Sequence, residues 1–494
     1  MFDLEKYIDE MLIKQNEGGS NEQKNLFSKA DYYKLLKPVM EVIHSNKDNS
    51  LTELRTKLYE QSKIEEKVKN FIYNRKMAPG VVFSYGTKNF KETVVAGDRQ
   101  EVTLNENGQL VPATLEMTEN TIFDLASVTK LFTSLSVLKL VESGDINLAD
   151  DVVKYAPEFK NLKGISIFDL LTFNQPLKTN GRIDKVSSKE EAETILFDIQ
   201  ADLKVPNSRL YTDMGAMVLK YVIEKVSTMD FYPFVSENIL KKLDLNDTHV
   251  LVPASKIDRV VNTNYDGRLY KDGNFMMTTE AEKGTAYDAK ARIMGQKEGV
   301  LSGHAGMFST ADDMTKLAKG MIDASFIDED YIRKMAKNRT GNIYYDDKGN
   351  KKFTQYLGML CYSKNPILGD SEVFHALSGN SLASAGWTGM QLTIDPANEL
   401  YFFMGANRSH NRMTFIDSEQ KHQIKTGKDG ENMLVLPDGN VKIDATKFAW
   451  ERDDVVVYPA LKLAIQYKML EDIYGIEKEK IPAEEKVSVK QYKK

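Results

Sequence analysis

The chain has a single cysteine, Cys361, among its 494 residues, so it can form neither an internal disulfide nor a cysteine-rich metal site. Its six histidines are scattered and include no His-Glu-x-x-His pair, which argues against a zinc hydrolase. No run of about 18 apolar residues occurs, so nothing reads as a membrane-spanning helix. No block is strongly basic and the formal net charge is only -6, which speaks against nucleic-acid binding. The opening segment MFDLEKYIDEMLIKQNEGG is acidic and amphipathic. It lacks the basic start and continuous apolar run of a signal peptide, and the expected location is the cytoplasm.

What is present is the composition of a soluble globular protein, with 41% hydrophobic and 28% charged residues. A chain this long can bury a substantial core. Residues 1–60 read as a separate helical extension, since LEKYIDEMLI and ADYYKLLKPVMEVIHS carry apolar residues at helical spacing. Between them NEGGSNEQKN reads as a loop. Residues 61–476 read as the main domain. In it VVFSYG and KETVVAG flank a polar turn and predict a β-hairpin. WTGMQLTIDPANELYFFMGAN predicts two further strands, and YPALKLAIQYKMLEDIYGI a helix. Strands near both ends with helices between them predict an α+β fold. It would be an antiparallel sheet assembled from both termini and flanked by helices, with an inserted helical lobe. Residues 412–452 are polar and turn-rich and read as an insertion, a loop or small hairpin. The Lys/Glu-rich stretch 477–494 reads as a flexible tail.

The chemistry centres on TIFDLASVTKLFTSLSVLKLV, from residue 121. A serine hydroxyl is a poor nucleophile until a base takes its proton. A lysine can serve where its surroundings favour the neutral amine. Residues three apart on a helix share a face, so Ser127 and Lys130 can meet, and a helix N-terminus favours a developing oxyanion. The spacing alone is not specific, because Ser136/Lys139 and Ser418/Lys421 repeat it. Ser136 lies mid-helix and Ser418 in a polar loop, whereas Ser127 sits at a helix start. There it could equally be a plain N-cap.

The neighbouring motifs, in their order, resemble the serine β-lactamase and penicillin-binding-protein superfamily, in its class C-like esterase and D,D-peptidase branch. SVTK at 127–130 is similar to the nucleophile motif, and YTDMGAMVLKYVIEKVS from 211 to the second motif, Tyr-x-Asn, with Asp213 in the Asn place. GHAGMFSTADDMTKLAKGM from 303, preceded by AYDAKA, resembles a glycine-rich segment of that branch, and SAGWTGMQLTIDP from 384 its third motif. ISIFDLLTFNQPL, from 165, departs from the usual His-Thr-Ser-Gly ending. The resemblance spans roughly 62–412 and the C-terminal helix. It implies a β-lactamase/transpeptidase-like fold and an acyl-enzyme mechanism without cofactor or metal. Ser127 would attack a carbonyl, and Lys130 would accept its proton or lower its pKa. Tyr211 would relay protons, and Asp213 would hydrogen-bond within the network. The backbone N–H groups of Ser127 and Trp387 would form the oxyanion hole. Ser384, Ala385 and Gly386 would bind substrate.

Each residue also has a plainer reading: Tyr211 a core tyrosine, Asp213 a helix N-cap, Trp387 a packing residue and His304 a structural one. A carboxylate at 213 favours a charged Lys130, which tilts the base role toward Tyr211. The third motif normally opens with Lys or His, and Ser384 stands there instead. A literal Lys-Thr-Gly at 425–427 continues into the polar KDGEN and is a decoy, because an inner strand should continue apolar. The loss of the basic residue fits a neutral ester or amide better than a penicillin or a terminal D-Ala carboxylate. The expected function is therefore a serine hydrolase, an esterase or a peptidase/amidase. Its substrate would be a small molecule, with peptidoglycan-derived and D-amino-acid compounds included in the class. A catalytically impaired ligand- or partner-binding relative is the alternative, and a true β-lactamase ranks third.

Overall fold

The computed structural model describes residues 3–17, 27–46, 49–202, 211–279, 281–337, 343–345, 351–353, 356–364, 372–474 and 487–492. Three helices open it: α1 (Leu4–Asn16), α2 (Lys29–Ser45) and α3 (Leu51–Ser62). Their starts follow from side-chain caps. Ser28 with Asp31, and Ser50 with Glu53, form reciprocal capping boxes on α2 and α3. The loop expected between the first two helices lies mostly outside the described residues.

The predicted hairpin is β1 (Gly80–Thr87) and β2 (Lys91–Leu104), followed by β3 (Leu110–Glu116). Next come α4 (Thr129–Glu142), α5 (Met214–Ser227), the short strands β4 (Asp266–Leu269) and β5 (Phe275–Thr278), α6 (Ala289–Ile293) and α7 (Ala311–Ile322). The chain then adds β6 (Tyr362–Ser363), β7 (Leu382–Gly386), β8 (Met390–Asp395) and β9 (Leu400–Ala406). After these come β10 (Arg412–Ile416), β11 (Lys425–Thr426), β12 (Asn432–Val435), β13 (Val441–Asp444), α8 (Tyr458–Tyr474) and β14 (Val487–Tyr492).

The main sheet runs β6-β7-β8-β9-β1-β2-β14, with β3 also paired to β2. It is antiparallel except for β14, which runs parallel to β2. Strand periodicity sends alternate side chains to opposite faces, and both faces are covered. Val82, Val95, Leu392, Ile394, Tyr401 and Phe403 pack with α4, α5 and α7. Val81, Phe83, Tyr85, Phe402 and Met404 pack with α1 to α3 and α8. This accounts for the unbroken apolar run LYFFMGA of β9, buried along its whole length.

Two features differ from the sequence expectation. Val487–Tyr492, read as flexible tail, is a strand on the sheet edge, with Tyr73 donating from its hydroxyl to the Tyr492 carbonyl at 2.6 Å. The segment 412–452 is no isolated hairpin: its strands join β4 and β5 in a six-stranded sheet ordered β11-β12-β13-β10-β4-β5. The link is parallel pairing of β10 to β4, which local patterning cannot reveal. The decoy residues Lys425 and Thr426 lie on β11 of this second sheet and are exposed.

Arg55 of α3 and Glu471 of α8 form an ion pair with side chains 5% and 1% exposed, and Thr87 of β1 also donates to Glu471. Removing one partner strands a buried charge, a loss of about 3–5 kcal/mol. Arg55→Met and Glu471→Leu should each lower denaturant-measured stability by that order. The double variant should recover most of it.

Candidate active site

Ser127 lies in a single 3-10 turn, Ala126–Val128, that leads into α4. Ala126 has φ +44, a strained conformation for a residue with a Cβ. The surroundings hold it there. Asp124 accepts from the Ala126 N–H at 2.8 Å and, through its other oxygen, from the Tyr287 N–H at 2.6 Å. Thr388 donates to the Asp124 carbonyl at 2.7 Å. Burial raises the Asp124 carboxyl to about 6, against the pull of those two N–H donors. Strand β7 presses on the same turn, since a Cβ on Gly386 would meet the Leu125 carbonyl oxygen at 2.5 Å.

Lys130 is fully buried in a helix buried along most of its length. Its ammonium donates to Ser127 Oγ at 2.8 Å and to the His304 carbonyl at 3.1 Å, and pairs with Asp213 at 2.8 Å. It also lies 4.9 Å from the centroid of the Tyr211 ring. Burial alone would push its pKa down. Asp213 and Tyr211 outweigh burial and hold it above the ordinary lysine value, so Lys130 is a cation in the resting site.

Asp213 occupies the N-cap position of α5, but its side chain caps nothing; Thr212 Oγ1 accepts from the Met214 N–H instead. The carboxylate turns to Lys130 and to Lys290, the latter at 3.1 Å. Burial opposes its ionisation, yet Lys130 and Lys290 keep it well below the usual carboxylate range. Lys290 also pairs with Asp288 at 3.1 Å, and Asp288 accepts from His304 Nε2 at 3.0 Å. His304 is itself fully buried. A loop glycine brings it close to α5: Gly303 has φ +88, and a Cβ there would meet the Ala216 carbonyl at 2.4 Å. Donor atoms of Asp213, Asp288 and His304 lie within 4.8 Å of one another, a spacing a cation could use. The Lys290 ammonium already sits between the two carboxylates, so this chain's own amine supplies the positive charge.

Ser127, Tyr211, Asp213, Lys290 and Trp387 line one cavity of about 510 Å³, whose outer wall is Tyr270, Met276 and Thr278 from the second sheet. Trp387, in the turn after β7, is 48% exposed, with the Arg408 guanidinium 4.4 Å above its ring. Ser384, Ala385 and Gly386 are not among the lining residues. Ser384 is buried in the sheet opposite Leu392, and Gly386 is pressed against the nucleophile turn. Asp288 and Lys290, within AYDAKA, had no part in the mechanism expected from the sequence. Asp288 accepts from the Ala291 N–H, an N-cap signal before a helix of one turn. Lys290 carried no signal at all.

The family model for Beta-lactamase matches residues 73–424. The chain belongs to the beta-lactamase family. A Salmonella gallinarum protein named "Putative D-alanyl-D-alanine carboxypeptidase" is 27% identical over 338 residues, which cover 62% of this chain and 74% of that protein. A Salmonella typhimurium protein of the same name matches equally well. The solved octameric penicillin-binding protein homologue from Pyrococcus abyssi superposes with a TM-score of 0.51 at 21% identity, covering 70% of this chain and 73% of that one. A class C beta lactamase from Rhodobacter sphaeroides gives 0.50 at 17% identity, covering 70% and 94%. A simvastatin synthase from Aspergillus terreus gives 0.51 at 14% identity, covering 82% and 97%. These structures share the fold: an antiparallel sheet flanked by helices. Among the described residues, no helix is long and apolar enough to cross a membrane.

His410 supports the cavity wall at Asn264. Its Nε2 accepts from the Glu101 N–H at 2.8 Å, which leaves Nδ1 to donate to the Asn264 carbonyl at 3.1 Å. Burial, aided by Arg412 and Lys283 and opposed by Glu101, pushes its pKa down to about 4. A depressed folded-state pKa adds stability that is full above the unfolded value near 6.5 and is lost as pH falls through 4. Acid unfolding between pH 7 and 4 should therefore be less steep in His410→Gln than in the wild type, by up to about 3 kcal/mol.

Proposed function

We propose that the protein is a serine hydrolase that works through an acyl-enzyme on a neutral ester or amide. What supports this reading is the contact of Lys130 Nζ with Ser127 Oγ at 2.8 Å, on a cavity wall shared with Tyr211 and Trp387. The amine donates in that contact and is held charged by Asp213. The serine proton therefore goes to Tyr211 acting as its phenolate, with its ring beside the same ammonium. Ser127 Oγ bonds to the carbonyl carbon, and the oxyanion is taken by the Ser127 and Trp387 N–H groups, each worth about 2.7–4 kcal/mol of barrier. Collapse breaks the bond to the leaving group, which leaves with the proton from Tyr211. Water then attacks the acyl carbon and gives its proton to Tyr211, which passes it to Ser127 Oγ as the bond to the acyl group breaks and the acid leaves.

The buried third-motif serine puts no cation where a substrate carboxylate would sit, which favours neutral substrates over penicillins. D-alanyl peptides are among the amides to try, in keeping with the Salmonella relatives' name. A fluorophosphonate should label the wild type and not Ser127→Ala. Equal labelling of the two would remove Ser127 as the nucleophile.

The closed Lys130–Asp213 pair also favours a second reading, a ligand-binding protein with the chemistry switched off. Turnover of p-nitrophenyl esters that is lost in both Ser127→Ala and Tyr211→Phe would exclude it. Rapid nitrocefin hydrolysis would instead restore the β-lactamase reading.

A further inference from the structure

Around Lys130 the contacts close into a ring. Lys130 pairs with Asp213 at 2.8 Å, Asp213 with Lys290 at 3.1 Å, and Lys290 with Asp288 at 3.1 Å. Asp288 accepts from His304 Nε2 at 3.0 Å, and the His304 carbonyl accepts from Lys130 at 3.1 Å. The members come from α4, the start of α5, α6 with the residue that caps it, and the glycine-rich loop. Lysine and aspartate alternate along four of the five members, so two ammoniums balance two carboxylates, and His304 closes the ring through its imidazole and its carbonyl. The resemblance in the sequence calls for a neutral Asn at 213, where one lysine would need no second cation. An aspartate there, beside a second carboxylate at 288, brings two like charges together in a mostly buried site. That arrangement is unfavourable unless a cation separates them.

We infer that Lys290 is a positioning residue: its ammonium is the required partner of Asp213, and the two together do the work of the neutral second-motif residue. Lys290 touches neither Ser127 nor Tyr211 in any described contact. It acts through Asp213, whose carboxylate aims the Lys130 ammonium at Ser127 Oγ. Without Lys290 the Asp213 and Asp288 carboxylates face each other. Asp213 then turns away from Lys130, and the serine loses its oriented donor. The inference rests on the acyl-enzyme reading for what the pair serves, and not for the pairing itself.

A double-mutant cycle on the full chain decides it, with Asp213→Asn, Lys290→Met and the double variant. Each single change leaves one unbalanced charge, whereas the double restores balance. Two quantities are read: the rate of Ser127 labelling by a fluorophosphonate, and the melting temperature. Each single variant should label at least tenfold more slowly and melt earlier. The double should label faster than the slower single and melt higher than either. Lys290→Arg, which keeps the charge, should restore most of the labelling rate that Lys290→Met loses. Independent effects that simply multiply in the rate and add in the melting temperature would overturn the inference. So would a Lys290→Met variant that labels at the wild-type rate, or a Lys290→Arg variant no better than Lys290→Met. A wild type that never labels at Ser127 would sink the acyl-enzyme reading alone, while the melting cycle would still decide the pairing.

Discussion

The buried ion pair of Lys130 and Asp213 is the constraint from which the site follows. An isolated ammonium inside an apolar helix would cost several kcal/mol, and it would shed its proton instead. The carboxylate at 213 removes that option, so Lys130 stays charged and can only donate. Ser127 thereby receives an oriented hydrogen bond, and in the proposed mechanism the task of taking its proton moves to Tyr211. The same carboxylate has to be balanced on its other side, which brings Lys290, Asp288 and His304 into one ring.

The ring needs a stiff frame, and the sheet provides it. With both faces of β1 and β9 covered by helices, neither strand can shift without exposing apolar surface. Strand β7 then bears directly on the strained turn at Ala126, while Asp124 ties that turn to the N–H of Tyr287, the residue before Asp288. Ser127 and the charge network are thus fastened to each other through one buried carboxylate.

Much of this was legible in the sequence. The hairpin 80–104 and the strands 390–406 were readable because short apolar runs rich in β-branched and aromatic residues flank turn residues. Ser127 and Lys130 were readable because three-residue spacing on a helix is a local property. Tyr211 and Asp213 came from the resemblance, and the expected charging of Lys130 from elementary electrostatics. The second sheet was hidden because its strands are two to five residues long and its central pairing is parallel between distant segments. Asp213 looked like an N-cap because position alone cannot say which way a carboxylate turns. Lys290 was hidden because its meaning depends on two acids that only the folded chain brings beside it. Ser384 was expected at the substrate, and the register buries it instead.

The outer wall of the cleft is built from residues between 268 and 278, which belong to a sheet completed by strands after β9. None of its strands is shared with the sheet that carries the nucleophile turn. Insertions or exchanges at Tyr270 or Met276 can reshape the mouth of the cavity while the ring of charges and its supports stay as they are. Selectivity and chemistry occupy separate pieces of architecture, so a lineage could change what it accepts without relearning how to cut.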